Sequence, residues 1–173
     1  MQELTDIEFQ MKSRGDVDSD LRLVPSLFGE QSVVFGASVP QAPCFYVQAK
    51  PAEIWARFTD HGFAGMAVRD FEQWRSVYCY SGPIPEAALR KLYEKANIHI
   101  YCSTNDNLYA NKSWIGLHAA SAGTKEIKLP YPAEVYNAFE KKRVGKQISQ
   151  FRFEMKFGET ALFILSPTEI SDF

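Results

Sequence analysis

Phe151-Arg152-Phe153-Glu154-Met155-Lys156-Phe157-Gly158-Glu159-Thr160-Ala161-Leu162-Phe163-Ile164-Leu165 is the stretch on which the fold turns. Phe151, Phe153, Met155 and Phe157 alternate with Arg152, Glu154 and Lys156, so an extended chain puts the apolar side chains on one face and the charges on the other. That pattern predicts a half-buried antiparallel strand. Gly158-Glu159 then turns the chain into residues 160–165, a continuous apolar run expected of a strand buried on both faces.

Upstream the same signal repeats. Ile115, Leu117 and Ala119 alternate, Ile127 and Leu129 alternate with Glu126 and Lys128, and apolar segments at 135–139 and 144–148 flank the polar Glu140-Lys141-Lys142-Arg143. About six short strands at turn spacing predict a small antiparallel β-sandwich or barrel. Its best joint to the preceding chain is Asn105-Asp106-Asn107, which divides the sequence into 1–104 and 105–173.

The first part reads differently. Residues 54–58, a turn at Asp60-His61-Gly62, residues 65–69 and residues 74–80 predict a three-strand meander, preceded by short strands at 7–11, 32–35 and 44–47. A helix is expected over 85–97, opened by Pro85-Glu86, with Leu89, Leu92, Tyr93 and Ala96 as its apolar face and Asn97 closing it at positive φ. Residues 98–102 follow as a strand. Helix, cap and strand together read as the closing unit of a layered α/β sheet. The expected class is therefore α+β, mostly β: a remnant of an α/β layer followed by an antiparallel β-sandwich. Residues 4–11 already alternate, and a chain that opens inside a strand is expected to lack what came before.

Composition narrows the functions. The 173 residues are 46% hydrophobic and 14% aromatic, enough for one ordinary domain or two small ones rich in strands. Nineteen Lys and Arg against 21 acidic residues give a formal charge of −2, so neither nucleic acid nor a membrane surface is an expected partner. No secretory leader and no apolar run of membrane-spanning length is present, and a cytoplasmic location is expected.

A search for chemistry yields little. Cys44, Cys79 and Cys102 form no CxxC and pair with no His at metal-ligand spacing, and Cys79 lies between two tyrosines, surroundings that raise a thiol pKa. His61, His99 and His118 have no partner at ligand spacing, so strand packing is their expected role and no cofactor is implied. Asp16-Val17-Asp18-Ser19-Asp20 lacks the Gly and distal Glu of a calcium loop and reads as a solvated turn. Asn111-Lys112-Ser113 matches a glycosylation sequon, taken as chance in an untargeted chain. A nucleophile elbow and a phosphate-binding glycine loop are both absent from the sequence. The remaining candidates are aromatic: Trp55, Trp74, Tyr78, Tyr80, Trp114 and Tyr136, any of which could stack on a sugar ring or on a partner if its face is open, and packs the core if it is not.

Gly65-Met66-Ala67-Val68-Arg69-Asp70-Phe71-Glu72-Gln73-Trp74-Arg75-Ser76-Val77-Tyr78, Pro83-Ile84-Pro85 and Ala96-Asn97-Ile98-His99-Ile100-Tyr101 carry a resemblance. So do Asn107-Leu108-Tyr109-Ala110-Asn111, Ala122-Gly123-Thr124-Lys125-Glu126-Ile127-Lys128-Leu129-Pro130, Val135-Tyr136-Asn137-Ala138-Phe139 and Gly158-Glu159-Thr160-Ala161-Leu162-Phe163. Together they resemble the C-terminal region of bacterial β-galactosidase-like glycoside hydrolases: a glutamine-amidotransferase-like, trimerisation-type domain, here 1–104, and a terminal β-domain, here 105–173. The resemblance implies a non-catalytic assembly or accessory region whose partners are a catalytic barrel domain or identical subunits. It carries no catalytic residue to this chain, because the barrel and its carboxylates would lie upstream of Met1. The alternative is a carbohydrate-binding β-module that uses exposed aromatics.

Overall fold

A computed structural model of the chain describes residues 5–12, 19–30, 33–39 and 41–166. Two units emerge, Met1–Leu92 and Tyr93–Phe173, each built on one sheet. The strand pairs described are all antiparallel. Among the described residues two short α-helices are α1 (Pro25–Phe28) and α2 (Glu86–Lys95).

The first unit contains β1 (Glu8–Lys12), β2 (Leu21–Leu23), β3 (Val34–Phe35), β4 (Cys44–Gln48), β5 (Ile54–Phe58), β6 (Ala64–Asp70) and β7 (Arg75–Cys79). They lie in the order β1-β4-β6-β5-β2-β3, with β7 also on β6. The meander expected over 54–80 is therefore present, as β5, β6 and β7. Its centre is buried more completely than alternation predicts, and two bulges explain why. Arg57 faces Ala64 and Ala56 faces Met66, leaving Gly65 extra in β6; Ile54 faces Ala67, leaving Trp55 extra in β5. Each bulge shifts the side-chain parity by one. Trp55, Phe58, Met66 and Val68 thus join one core with Leu21 and Leu23, while Ile54, Ala64 and Ala67 join another with Ile7 and Val47. Gly65 sits where no side chain fits: a Cβ there would stand 2.2 Å from Leu21 Cδ2 and 2.9 Å from Phe58 Cε2.

Helix α2 forms where expected, and Asn97 closes it at φ 53°. Its inward row differs from the expected one. Ala88 is fully buried and Leu92 packs beside it against the Trp55 core, whereas Tyr93 and Ala96 are exposed. The segment 98–102 is a correction: it does not form a strand. It is held to β10 (Gly123–Asn137) by the Lys128 N–H donating to Tyr101 O at 2.8 Å and by the His99 ring on Lys128 O at 2.8 Å, without a ladder. Among the described residues no strand follows α2 into a parallel pairing, so the α/β layer expected from the sequence is not seen. The architecture is mixed α and β, dominated by antiparallel sheet. Of the acidic run at 16–20, Asp16 and Asp18 lie outside the described residues, while the Asp20 carboxylate accepts hydrogen bonds from the Ser38 N–H and hydroxyl.

The second unit is β-sandwich-like, with β8 (Asn107–Ala110), β9 (Trp114–His118), β10, β11 (Lys142–Met155) and β12 (Thr160–Ser166) in the order β11-β10-β12-β9-β8. The two apolar segments flanking 140–143 prove to be the inner ends of one hairpin, with strands of 15 and 14 residues. Its register breaks between Lys128, opposite Gln150, and Ala133, opposite Ile148. Pro130 and Pro132 lie in the break. Beyond the break β10 also pairs with β12. The Phe163 ring on β12 meets Phe151 and Phe153 of β11 at centroid separations of 4.8 Å each, although β12 is laddered to β10 and β9. These rings meet edge to face and pack with Ile115, Leu117, Ile127, Val135 and Leu165 in one core.

The deciding stretch behaves mostly as read. Phe151 and Met155 are buried and Phe153 half-buried, but the strand ends at Met155, and Phe157 lies 77% exposed beside Gly158, whose φ of 78° turns the chain. Strand β12 alternates instead of being buried on both faces: Ala161, Phe163 and Leu165 are buried, Leu162 and Ile164 half-buried.

Replacing Gly65 by Ala should destabilise the first unit by ~1–3 kcal/mol through overpacking against Leu21 and Phe58. Urea denaturation followed by Trp fluorescence reads the loss; an unchanged midpoint would mean that the β6 bulge relaxes freely.

Candidate functional site

The long hairpin brings sequence-distant polar groups to one place. A cleft of about 370 Å³ is lined by Asn137, Phe139 and Glu140 at the hairpin tip, Phe153, Glu154 and Met155 at the far end of β11, and Glu159, Thr160 and Ala161 at the start of β12. Its floor is apolar, the Phe153 ring packing on Phe163. Its rim is acidic, with Glu140, Glu154 and Glu159 all exposed and no cationic side chain among the lining residues. Each position has a local cause. The Thr124 hydroxyl, opposite Glu154 in the ladder, donates to its carboxylate. The Lys156 N–H donates to Glu159 Oε2 at 2.7 Å across the turn, and the Thr160 hydroxyl is engaged by His118 Nδ1 at 2.8 Å. Phe139 stands 62% exposed at the tip.

Asn137 fixes that tip. Its Oδ1 accepts the N–H groups of Phe139 and Glu140, both at 3.1 Å, an Asx-type closure of the turn before Lys141, which sits at φ 51°. Backbone N–H groups only donate, so the accepting atom is the oxygen and the amide nitrogen must point the other way.

A second polar cluster lies in the same unit and is closed. Lys125 Nζ meets the Asp106 carboxylate at 2.7 and 3.0 Å, with the side chains 1% and 0% exposed. Ser121 Oγ accepts from the same ammonium at 3.1 Å, and the carboxylate takes further hydrogen bonds from the Ala120 N–H at 2.8 Å and from the Thr104 hydroxyl. Burial would push the Asp106 pKa up. The hydrogen bonds from Lys125, Thr104 and Ala120, with the Lys125 charge, outweigh it and hold the pKa below its usual value. Lys125 occupies the inward phase shared by Ile127 and Leu129, a charged residue at a core position that required a buried partner.

The aromatic candidates separate by exposure. Trp55 is 2% exposed and lies edge to face with Phe28 at 5.6 Å, so its ring offers no open face. Trp74 is 50% exposed, stacked on Phe71 at 4.0 Å in the turn between β6 and β7. Trp114 is 39% exposed and lies beside Gly116, where a Cβ would stand 3.4 Å from the indole. Tyr78, Tyr80 and Tyr136 are half-buried, and the Tyr78 hydroxyl donates to Phe45 O at 3.0 Å. Trp55, Trp74, Tyr78 and Tyr80 belong to the first unit, Trp114 and Tyr136 to the second. Desolvation raises the Tyr78 and Tyr80 hydroxyls and the buried Cys44 thiol, and pushes Cys79 up to about 11. Burial lowers His61, whose ring lies 4.6 Å from those of Phe58 and Phe63. Among the described residues no three His, Cys, Asp or Glu side chains come together as a metal site, and no helix is long and apolar enough to cross a membrane.

No protein-family model matches the chain, and no curated protein matches its sequence. A solved structure does: a β-galactosidase from Bacillus circulans sp. alkalophilus matches with a TM-score of 0.57 at 13% identity, over 95% of this chain and 25% of that one. The two share a fold. The chain spans about a quarter of the length of that β-galactosidase. The likeness is distant and partial, one of fold alone, and transfers no residue role. The cleft residues were not among the sequence candidates: Asn137 and Glu159 are 22 positions apart, and each acidic residue by itself looks like solvated surface.

The buried pair makes stability acid-sensitive. A carboxylate whose folded pKa is lowered contributes stability that is complete above its unfolded value, about 3.9, and is lost as pH falls through the lower folded value. Asp106→Ala strands the Lys125 charge and should cost ~3–5 kcal/mol at pH 7. Denaturation of both proteins at pH 7 and pH 3 checks this: the gap between them should narrow in acid, and a gap independent of pH would contradict it.

Proposed function

We propose that this chain is a non-catalytic accessory region of a β-galactosidase-like glycoside hydrolase, serving assembly with a catalytic barrel domain or with identical subunits. The carrying observation is the asymmetry of the fold match, 95% of this chain against 25% of a β-galactosidase. A match that takes in nearly all of one chain and a quarter of the other is what an appended region produces. The state of the buried carboxylates supports the same reading. Glycoside hydrolysis needs one carboxyl kept protonated across from a second, whereas Asp106 is driven towards its ionised form and the buried Glu134 is ion-paired to Arg143 at 2.5 Å. Under this reading 105–173 is a terminal β-domain, 1–104 the partial domain before it, and the exposed faces of Trp74 and Trp114 are the first candidates for partner contact, with the edges of Tyr78, Tyr80 and Tyr136 beside them. Trp55 contributes packing only.

Sedimentation equilibrium of the full chain, alone and mixed with a β-galactosidase barrel domain, tests the proposal. Self-association or co-sedimentation is expected, and Trp74→Ala should weaken it by about tenfold or more, as loss of an aromatic anchor does. A chain that stays monomeric, ignores the barrel and hydrolyses an aryl β-galactoside by itself would overturn the reading.

A further inference from the structure

The turn between β5 and β6 holds an imidazole where only its neutral form fits. His61 Nδ1 accepts the Phe63 N–H at 3.3 Å, so that nitrogen carries no proton and the ring proton lies on Nε2. Nε2 is itself buried and, among the described residues, makes no hydrogen bond; Asp60 Oδ1 stands 3.4 Å from it and accepts the His61 backbone N–H at 2.7 Å. The ring stands 4.6 Å from those of Phe58 and Phe63, and the side chain is 12% exposed. A second proton has only Nδ1 to occupy. There it would face the Phe63 N–H donor to donor, and neither N–H of the cation would have a hydrogen-bond acceptor in place. We propose that this turn is a pH-sensitive latch: neutral His61 closes it, and protonation in mild acid expels the imidazole and opens the β5–β6 connection.

The bonds that share the turn with His61 are few. The Phe58 N–H donates to Phe63 O at 2.9 Å, the Gly62 N–H to Phe58 O at 3.1 Å, and Arg57 Nη1 to Gly62 O at 2.9 Å. Phe63 also stacks on Tyr46 of β4 at 4.4 Å, so loss of the imidazole loosens a ring that β4 helps to hold. The groups around the ring act in both directions. Desolvation is the largest influence and lowers its pKa from the ordinary 6.5; Asp60 on the turn raises it by less, and Lys12 of β1 lowers it further. Arg57 of β5 adds a second positive group at the turn. The Cys44 thiol of β4 and the Tyr80 hydroxyl after β7 have their pKa values raised by burial and stay neutral in mild acid. A base whose folded pKa is lowered contributes stability that is complete above its unfolded value and is lost as pH falls from there towards the folded one. The latch is therefore shut at neutral pH and weakens below 6.5. It stands on this turn alone and is independent of the accessory role.

The test is amide hydrogen exchange of the full chain from about pH 8 to about pH 5, read by NMR and corrected for intrinsic exchange, with the His61 ring resonances followed in the same samples. The ring should titrate below 6.5. Between 6.5 and the pKa of the ring, opening at the Gly62 and Phe63 amides should rise towards about tenfold per pH unit, the limit for one proton, while amides of β10 and β12 keep their protection. His61→Gln retains an acceptor for the Phe63 N–H and cannot take the proton, so its opening should be flat with pH. Asp60→Asn retains the oxygen for the His61 N–H and removes the charge that favours the cation, so the ring pKa should drop further; this variant decides if the Gln variant does not fold. The latch is overturned if the ring titrates at or above 6.5, if opening at Gly62 and Phe63 does not change with pH, if folded His61→Gln opens in acid as steeply as the parent, if Asp60→Asn leaves the ring pKa unmoved or raises it, or if β10 and β12 lose protection in step.

Discussion

The second unit depends on the interruption of one hairpin at Pro130 and Pro132. Thr124 faces Glu154 near the open end and Asn137 faces Lys142 at the tip. In a straight ladder these pairs would be separated by 13 residues, roughly 40 Å at strand rise. Yet Asn137 and Glu154 line the same cleft. The chain must therefore fold back on itself between them, and the register break from Lys128 to Ala133 is where the ladder permits it. Pro130 and Pro132 lie within the break, Leu129 stays buried beside it, and β12 pairs with β10 beyond it. The Phe151, Phe153 and Phe163 cluster then holds the two halves together.

What the sequence made legible follows from local periodicity. Alternation over 151–155 and 115–119, the apolar segments around the polar 140–143 turn, the 54–80 meander and the positive-φ Asn97 are all expressed within a few residues, where patterns survive tertiary context. What it hid required a neighbour. The run 98–102 has the composition of a strand, but Ile98 and His99 are exposed and no ladder partner runs beside it. The bulges at Trp55 and Gly65 switch which face each residue takes, information carried by strand pairing and invisible in either strand alone. Helix α2 turned its smaller residue, Ala88, inward because the Trp55 core left room for close approach there. Lys125 was the exception: its inward phase among Ile127 and Leu129 marked a buried charge, and only the identity of its partner needed the structure.

Two kinds of carboxylate divide the chain electrostatically. Asp106 is enclosed, saturated by hydrogen bonds and held ionised, and with no unsatisfied site it serves packing and register by tying the loop before β8 to β10. Glu140, Glu154 and Glu159 sit at the surface, with water as the competitor for their lone pairs. Glycosidic chemistry needs an intermediate state, a carboxyl half-withdrawn from water so that its proton is retained near neutrality. Asp106, enclosed with its hydrogen bonds made, is held on the ionised side of that condition.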